Sequence, residues 1–515
     1  MKPAFSCLVI WLSALALTAQ PTIQWQKTLG GTNFDVARCI RQTTDGGYII
    51  GGWTGSNNGD VVGFHGIADF WVIKLNAIGN VEWTKALGGS DDDEAYAIRQ
   101  TNDGGYIVVG FTQSDDGDIT GFHGDQDTWV VKLSNSGEIV WQKAIGGSGS
   151  DEAWCVELTA DGGFVIAGRS SSTDGDAAGN PGNFLDFWVV KLSSSGNIEW
   201  QKALGGSDED AATTIRQTSD GGYILTGNAK SNDGEVVGNN GNVDFWVVKL
   251  RSTGDLEWQH PFGGAGADWG NDIYETADGY VAFGYAGSNT GDITEHKGFF
   301  DYWVVKLKKT GELIWQKTIG GTNADYGRSF VIESDGSYIL AGTTKSKDGD
   351  VPYHNGIQVM WVVKMSPTGQ IIWQKTLGGT QGEACYSIQK TKDNGYILAG
   401  SAWSNDGDVT GVKGKSDVWI VKLAPESVGV EEALEEATTA LEIFPNPAHQ
   451  FVTLKIPNGA TSIDFVISDL QGKEMRRQSI PNGGSVDISA FASGLYQVMA
   501  LTTAGKVCSG MLTKD

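Results

Sequence analysis

Residues 83–141 read WTKALGGSDDDEAYAIRQTNDGGYIVVGFTQSDDGDITGFHGDQDTWVVKLSNSGEIVW, a stretch that starts and stops on the same tryptophan phrase. The tryptophans heading that phrase, W-Q-K in most copies, are Trp25, Trp83, Trp141, Trp200, Trp258, Trp315 and Trp373, spaced 58, 58, 59, 58, 57 and 58. A second series, in D-x-W-V-V-K-L, keeps the same step through Trp71, Trp129, Trp188, Trp246, Trp303, Trp361 and Trp419. Repeats of this length, rich in short alternating strands and glycine turns, indicate a propeller or a solenoid.

Within the quoted copy, residues 95–101 (AYAIRQT) alternate as a first strand, and Asn102-Asp103-Gly104-Gly105 supplies a tight hairpin turn. Tyr106–Thr112, 128–133 and Ile139–Ile145 follow as second, third and fourth strands. The array opens on a fourth-strand phrase, Ile23–Leu29, and ends on a third-strand phrase at 418–423, so the last copy lacks its outer strand and the start has one to spare. Pairing the two removes the free edges. The expected fold is all-β: a seven-bladed β-propeller of four-stranded blades closed by the N-terminal strand, its channel lined by the first strands, then a small Ig-like β-sandwich.

The boundaries follow from composition. Lys2 and an apolar run ending near Ala16-Leu17-Thr18-Ala19 read as a secretory signal at 1–19. The repeats occupy 20–423, an acidic linker 424–440, and a second domain 441–515. No second apolar run is long enough to span a bilayer. Cys39, Cys155, Cys385 and Cys508 occupy positions that do not recur as pairs, which disfavours a disulfide framework or zinc site and suits buried small residues.

Net charge is −25, of which about −21 falls on the repeats, so nucleic acid and anionic membranes are disfavoured partners. The crossover motif G-G-x-x-x-D/E and the loop motif S-x-x-G-D/E, with the acids closing that loop, place twenty carboxylates on one face of the expected disc. Three readings compete for them. They cap turns through nearby backbone N–H groups. They hold calcium, with Asp60, Asp118, Asp176, Asp292, Asp350 and Asp408 as candidate ligands, because clustered Asp beside a flexible Gly suits a hard cation. Or they grip a cationic or polyhydroxylated ligand directly. His65 and His123 share one repeat position that later holds Pro181, Asn240, Lys297, Asn355 and Lys413, so no histidine ring recurs. No catalytic or cofactor motif is present. Trp53, Trp269 and Trp403 depart from the repeat and are candidate ligand-binding residues, since exposed Trp beside acids grips sugars.

The last 75 residues carry a resemblance. Ile443-Phe444-Pro445-Asn446-Pro447, then VISDLQGK at 466–473, Ala492-Ser493-Gly494-Leu495-Tyr496-Gln497-Val498 and the closing 506–514 resemble the C-terminal sorting domain of the type IX secretion system. That resemblance implies partnership with the type IX machinery and passage across a Gram-negative outer membrane, with release or surface attachment. The repeats resemble bacterial propeller repeats of the SBBP type, which share a fold and imply no single activity. The expectation is a secreted or cell-surface binding or adhesion module for a glycan or surface protein. The alternative is an extracellular carbohydrate-active enzyme, a lyase or hydrolase, using carboxylates of the acidic face.

Overall fold

β1 (Ile23–Leu29) precedes the four strands of the first repeat: β2 (Asp35–Gln42), β3 (Tyr48–Thr54), β4 (Asp69–Leu75) and β5 (Val81–Leu87). In the computed structural model, which describes residues 20–178, 180, 184–426, 441–456, 462–469, 474–502 and 507–515, these four pair in chain order as one antiparallel sheet. The β2–β3 hairpin turns at Gly46, whose φ of 86° is a left-handed conformation glycine adopts without strain. All of β4 is buried, because neighbouring sheets cover both of its faces, and this is why DFWVIKL reads as an apolar run.

The same unit recurs, giving seven four-stranded antiparallel sheets in the array. Six are built from four consecutive strands. The seventh combines Glu383–Lys390, Tyr396–Ala402 and Asp417–Leu423 with β1, which lies antiparallel to Asp417–Leu423 and sets Trp25 opposite Lys422. Apolar residues interlock between consecutive sheets. Ala97, Ile107 and Val109 share a core with Val156, Ile166 and Trp188, and Ile40 and Ile50 of the first repeat share one with Ile397 and Ile420 of the last. Trp71, Trp129, Trp188, Trp246, Trp303, Trp361 and Trp419 are the largest fully buried side chains. The glutamine of the W-Q-K phrase caps the indole of the neighbouring strand: Trp129 Nε1 donates to Gln142 Oε1 at 2.8 Å and Trp419 Nε1 to Gln26 Oε1 at 2.9 Å.

The expectation of a seven-bladed β-propeller closed by the N-terminal strand, followed by an Ig-like sandwich, needs correction. No sheet closes into a barrel or propeller: each ladder of hydrogen bonds stops after four strands, and β1 completes only the seventh sheet. Neighbouring sheets meet through side chains and through single backbone bridges, such as Asp93 N donating to Ala68 O at 2.8 Å and Asp35 N to Ser416 O at 2.9 Å, so the array is seven four-stranded sheets in an all-β chain.

The chain divides into two compact units, with the array as Thr22–Pro425. In the other, Glu442–Phe444, Phe451–Lys455 and Gly484–Asp487 form a three-stranded sheet, and Glu474–Pro481, Ser462–Asp469, Gly494–Thr502 and Val507–Lys514 a four-stranded one. Val452, Leu454, Phe465, Ile467 and Val498 contribute to their common core. The signal expected at 1–19 and residues 427–440 of the expected linker lie outside the described residues. Among the described residues no helix is long and apolar enough to cross a membrane.

Candidate functional site

The first strand of every repeat carries a β-bulge at one place. In β2 the register slips between Ala37 and Cys39, so Arg38 has no partner on β3. The equivalent slips leave out Tyr96, Trp154, Thr213, Asn271, Arg328 and Tyr386. A bulge bends the strand and re-aims the extra side chain. Room for it comes from a glycine in the second strand. A Cβ on Gly52 would lie 2.0 Å from the Val36 carbonyl oxygen, one on Gly110 1.9 Å from that of Glu94, and one on Gly400 1.7 Å from that of Ala384.

All seven bulged residues line one cavity of about 120 Å³, together with Arg41, Arg99 and Arg216. The residue before the bulge is small in every copy, Ala in four, Gly in two and Cys in one, and Ala37 and Cys39, on either side of the first bulge, enter the cores between sheets. The bulged position instead runs Arg, Tyr, Trp, Thr, Asn, Arg, Tyr around the array. One stretch of the wall is sealed by hydrogen bonds to the next first strand: Thr213 Oγ1 donates to Gly270 O at 2.7 Å, and Asn271 Nδ2 to Gly327 O at 2.7 Å. A wider depression of about 570 Å³ beside Glu157, Thr159 and Tyr274 shares Arg216 with the cavity.

The rest of the wall is cationic and aromatic. Arg38 lies between the rings of Tyr96 and Tyr386, 5.1 and 4.8 Å from their centroids, and Arg328 is 5.9 Å from Tyr386. Arg169 stacks on Trp154 at 4.9 Å and pairs with Glu152. Arg99 reaches Glu157 at 3.1 Å, and Arg216 reaches Asp272 at 2.9 Å while lying over Tyr274. Burial opposes ionisation of Glu157, but Arg99 and Arg216 outweigh it and hold the carboxyl below its ordinary range. Cys39 is pulled the same way: burial opposes the thiolate, yet Arg41 and Arg99 leave the thiol below its usual value. Six of the seven arginines in residues 20–423 are therefore on this wall or stacked against it.

The repeated acids occupy a different environment. Asp35 and its equivalents Asp93, Asp151, Asp210, Asp268, Asp325 and Glu383 have no exposed surface, and neither do Asp69, Asp127, Asp186, Asp244, Asp301 and Asp417. Thirteen of the twenty carboxylates thus lie beneath the surface rather than on a face, because partners converge on them from distant turns. Asp35 Oδ2 accepts from Gly31 N at 2.8 Å and Ser56 Oγ at 2.9 Å, and Oδ1 accepts from Thr54. Burial raises Asp93 and Asp325 to about 6 against such hydrogen bonds, and raises Asp186, with the charges of Asp210 and Glu235 adding to it, to about 7.

Among the calcium candidates, Asp60, Asp118, Asp292, Asp350 and Asp408 each accept from the first amide of a Gly-Gly pair, at 3.0 to 3.2 Å. Asp60 and Asp350 also pair with Lys413 and Lys297. Asp176 lies in a short 3₁₀ turn, Gly175–Ala177. Among the described residues no group of three or more His, Cys, Asp or Glu side chains is placed to hold a metal ion.

The aromatic candidates are not gathered together. Trp53 faces Val36 across the first hairpin, Trp269 stacks on Tyr285 with centroids 6.1 Å apart, and Trp403, in the loop just past the strand Tyr396–Ala402, is 38% exposed. His65 and His123 bond Asp69 and Asp127 through Nδ1, closing their own loops. Cys39, Cys155 and Cys385 are buried and free. Sequence reasoning missed the bulged positions and the arginines, although glycine inside each second strand was a visible signal of a bulge.

Comparison with known proteins concerns both units. Residues 442–511 match the family model described as the secretion system C-terminal sorting domain. The C-terminal unit is a type IX sorting domain. A protein carrying this sorting domain is secreted or attached to the outer membrane of a Gram-negative cell, and its partner there is the type IX machinery. The chain is also similar to the regulatory protein FlaEY of Caulobacter vibrioides, 23% identical over 414 residues, a match covering 70% of this chain and 42% of the relative. Solved structures with some likeness include the Pan2 WD40 domain of Neurospora crassa, 12% identical, covering 78% of this chain and 96% of that one at a TM-score of 0.43. Another is an α-L-arabinofuranosidase from Fusarium graminearum, 11% identical, covering 64% and 93% at a TM-score of 0.37. Neither likeness assigns an activity to the chain that the sorting domain exports.

Proposed function

We propose that the protein is a surface binding module, delivered by its sorting domain, whose ligand enters the cavity on the first strands. The observation that carries this reading is the convergence on one cavity of seven bulges whose side chains differ, in an array where the position just before each bulge is always a small residue. A purely structural position would repeat with the rest, whereas a ligand lacking the array's repetition needs an asymmetric wall. The same contrast favours binding over carbohydrate cleavage, since the paired acids that cleavage would use are engaged by backbone amides and hydroxyls. The test is capture of surface glycans and surface proteins by the intact secreted protein. Trp154→Ala and Tyr386→Ala should abolish capture, and Trp403→Ala should leave it intact. Equal capture by all three variants would remove the cavity from the reading.

A further inference from the structure

The chemistry of the wall narrows what the cavity takes, and the argument rests on the binding reading above. Arg38, Arg41, Arg99, Arg216 and Arg328 face Glu94, Glu157 and Asp272. The pairing is incomplete. Glu157 serves both Arg99 and Arg216, and Asp272 is taken by Arg216. Glu94 stands 3.7 Å from Arg38, whose Nε is buried with no hydrogen-bond partner. Among the described residues neither Arg41 nor Arg328 forms an ion pair: Arg41 donates to Ile40 O and Ser387 Oγ, and Arg328 meets only aromatic rings. A partly buried guanidinium without an acid is an anion site, because its fork of donors matches the two oxygens of a carboxylate or one edge of a sulfate or phosphate.

The same charge bookkeeping limits the ligand's size. The array as a whole carries about −21. A long polyanion would meet that surface over most of its length, whereas a single oxyanion inside the wall lies within a Debye length, about 8–10 Å, of the arginines. We infer that the cavity accepts one oxyanion head group, a carboxylate, sulfate or phosphate, at the end of a ligand whose body is uncharged, with Arg38 and Arg328 holding the anion and the rings of Tyr96, Trp154 and Tyr386 holding the body.

The experiment uses the full secreted protein with sodium acetate, sodium sulfate and inorganic phosphate as separate probes, each against sodium chloride at equal ionic strength. Thermal unfolding and Trp fluorescence are followed for wild type, an Arg38→Gln/Arg328→Gln double variant and an Arg251→Gln control, which removes an exposed arginine away from the cavity. In wild type and control, at least one oxyanion should raise the midpoint beyond chloride, with apparent affinity about tenfold weaker in the double variant. Which probe acts separates carboxylate from the tetrahedral anions. The same increment in all three proteins is a general salt effect and overturns the inference, as does no increment in any. Should the double variant fail to fold by circular dichroism, Arg328→Lys serves instead, keeping the charge but losing the two-pronged contact, with a several-fold weakening expected. Capture of a surface ligand that persists in the double variant and is lost in Trp154→Ala would sink the anion inference and leave the binding reading standing. Capture unaffected by either would sink both.

Discussion

Two kinds of repeated position sit a few residues apart in every first strand, and they behave in opposite ways. The acid that opens the strand, Asp35 in the first copy, is an acid in all seven copies, fully buried and bonded to main-chain amides. The bulged residue three places on is different in most copies and faces a cavity. The first position holds the chain in its turn and tolerates no variety. The second has been released from the ladder by the bulge, so its side chain is free to vary without cost to the sheet. In this molecule repetition marks what the fold requires, and departure from repetition marks what the fold presents.

The largest effect that would sharpen the contrast is at the glycine behind the bulge. Gly110→Ala should destabilise the array by about 3 kcal/mol, because the new methyl meets a carbonyl oxygen rather than a movable side chain. Urea unfolding measures it, and a loss under about 1 kcal/mol would show that the bulge relaxes easily. Next, Asp325→Ala should cost about 2 to 3 kcal/mol by stranding the amide and hydroxyls that converge on it, while Trp154→Ala at the bulge should cost under about 1 kcal/mol. Comparable losses at both positions would erase the distinction drawn here.

The buried acids also predict an unusual pH profile. Asp93, Asp127, Asp210, Asp244 and Asp325 are raised to about 6 and Asp186 to about 7, chiefly by burial. The native state therefore holds protons that the unfolded chain has released, and this stability is present at low pH and lost as pH rises through about 6 to 7. The melting temperature should rise on going from pH 7.5 to 5. Below about pH 4 the trend should reverse, because Asp103 and Asp161 are held down to about 2, chiefly by the Thr101 and Thr159 hydroxyls and also by Lys132 and Lys191, and lose those partners on protonation. A midpoint that falls steadily from pH 7.5 to 5 would contradict the burial of these groups. The smallest effect expected is from calcium: adding it and then excess chelator should move the midpoint by less than about 2 °C, since Asp60 and its equivalents already accept from glycine amides. A larger shift would give those loops a metal to hold.

Much of the architecture was legible in the alternation within each copy and in the register of the repeated phrases. The strand Tyr106–Thr112 falls where alternation put it, and Ile23–Leu29 pairs with the last copy as the register of the phrases required. The seven four-stranded sheets were legible as well, but the expected closure into a propeller was not given by the phrases, since a motif repeated every 58 residues says which strands are equivalent and not how the sheets close on one another. The acids were assigned to a surface because Asp between glycines reads as a solvated loop, while the hydroxyls that bury Asp35 come from Thr54 and Ser56, about twenty residues away. The arginines were hidden by a sum. Net charge has no position, and Arg41, Arg99 and Arg216, which share one place in the repeat, vanish inside a total of −25.

The pairing of Ile23–Leu29 with Asp417–Leu423 has a temporal consequence. The strand synthesised first in the array finds its partner only when nearly four hundred further residues have followed it, and Gln26 cannot cap Trp419 before then. Until that moment the leading segment is an unsatisfied edge, open to any passing strand. Completion is thus tied to the arrival of the far end of the array, immediately ahead of the segment that addresses the protein for export. A chain interrupted before Val418 keeps its first strand exposed, so the molecule signals its own incompleteness at the end that emerged earliest.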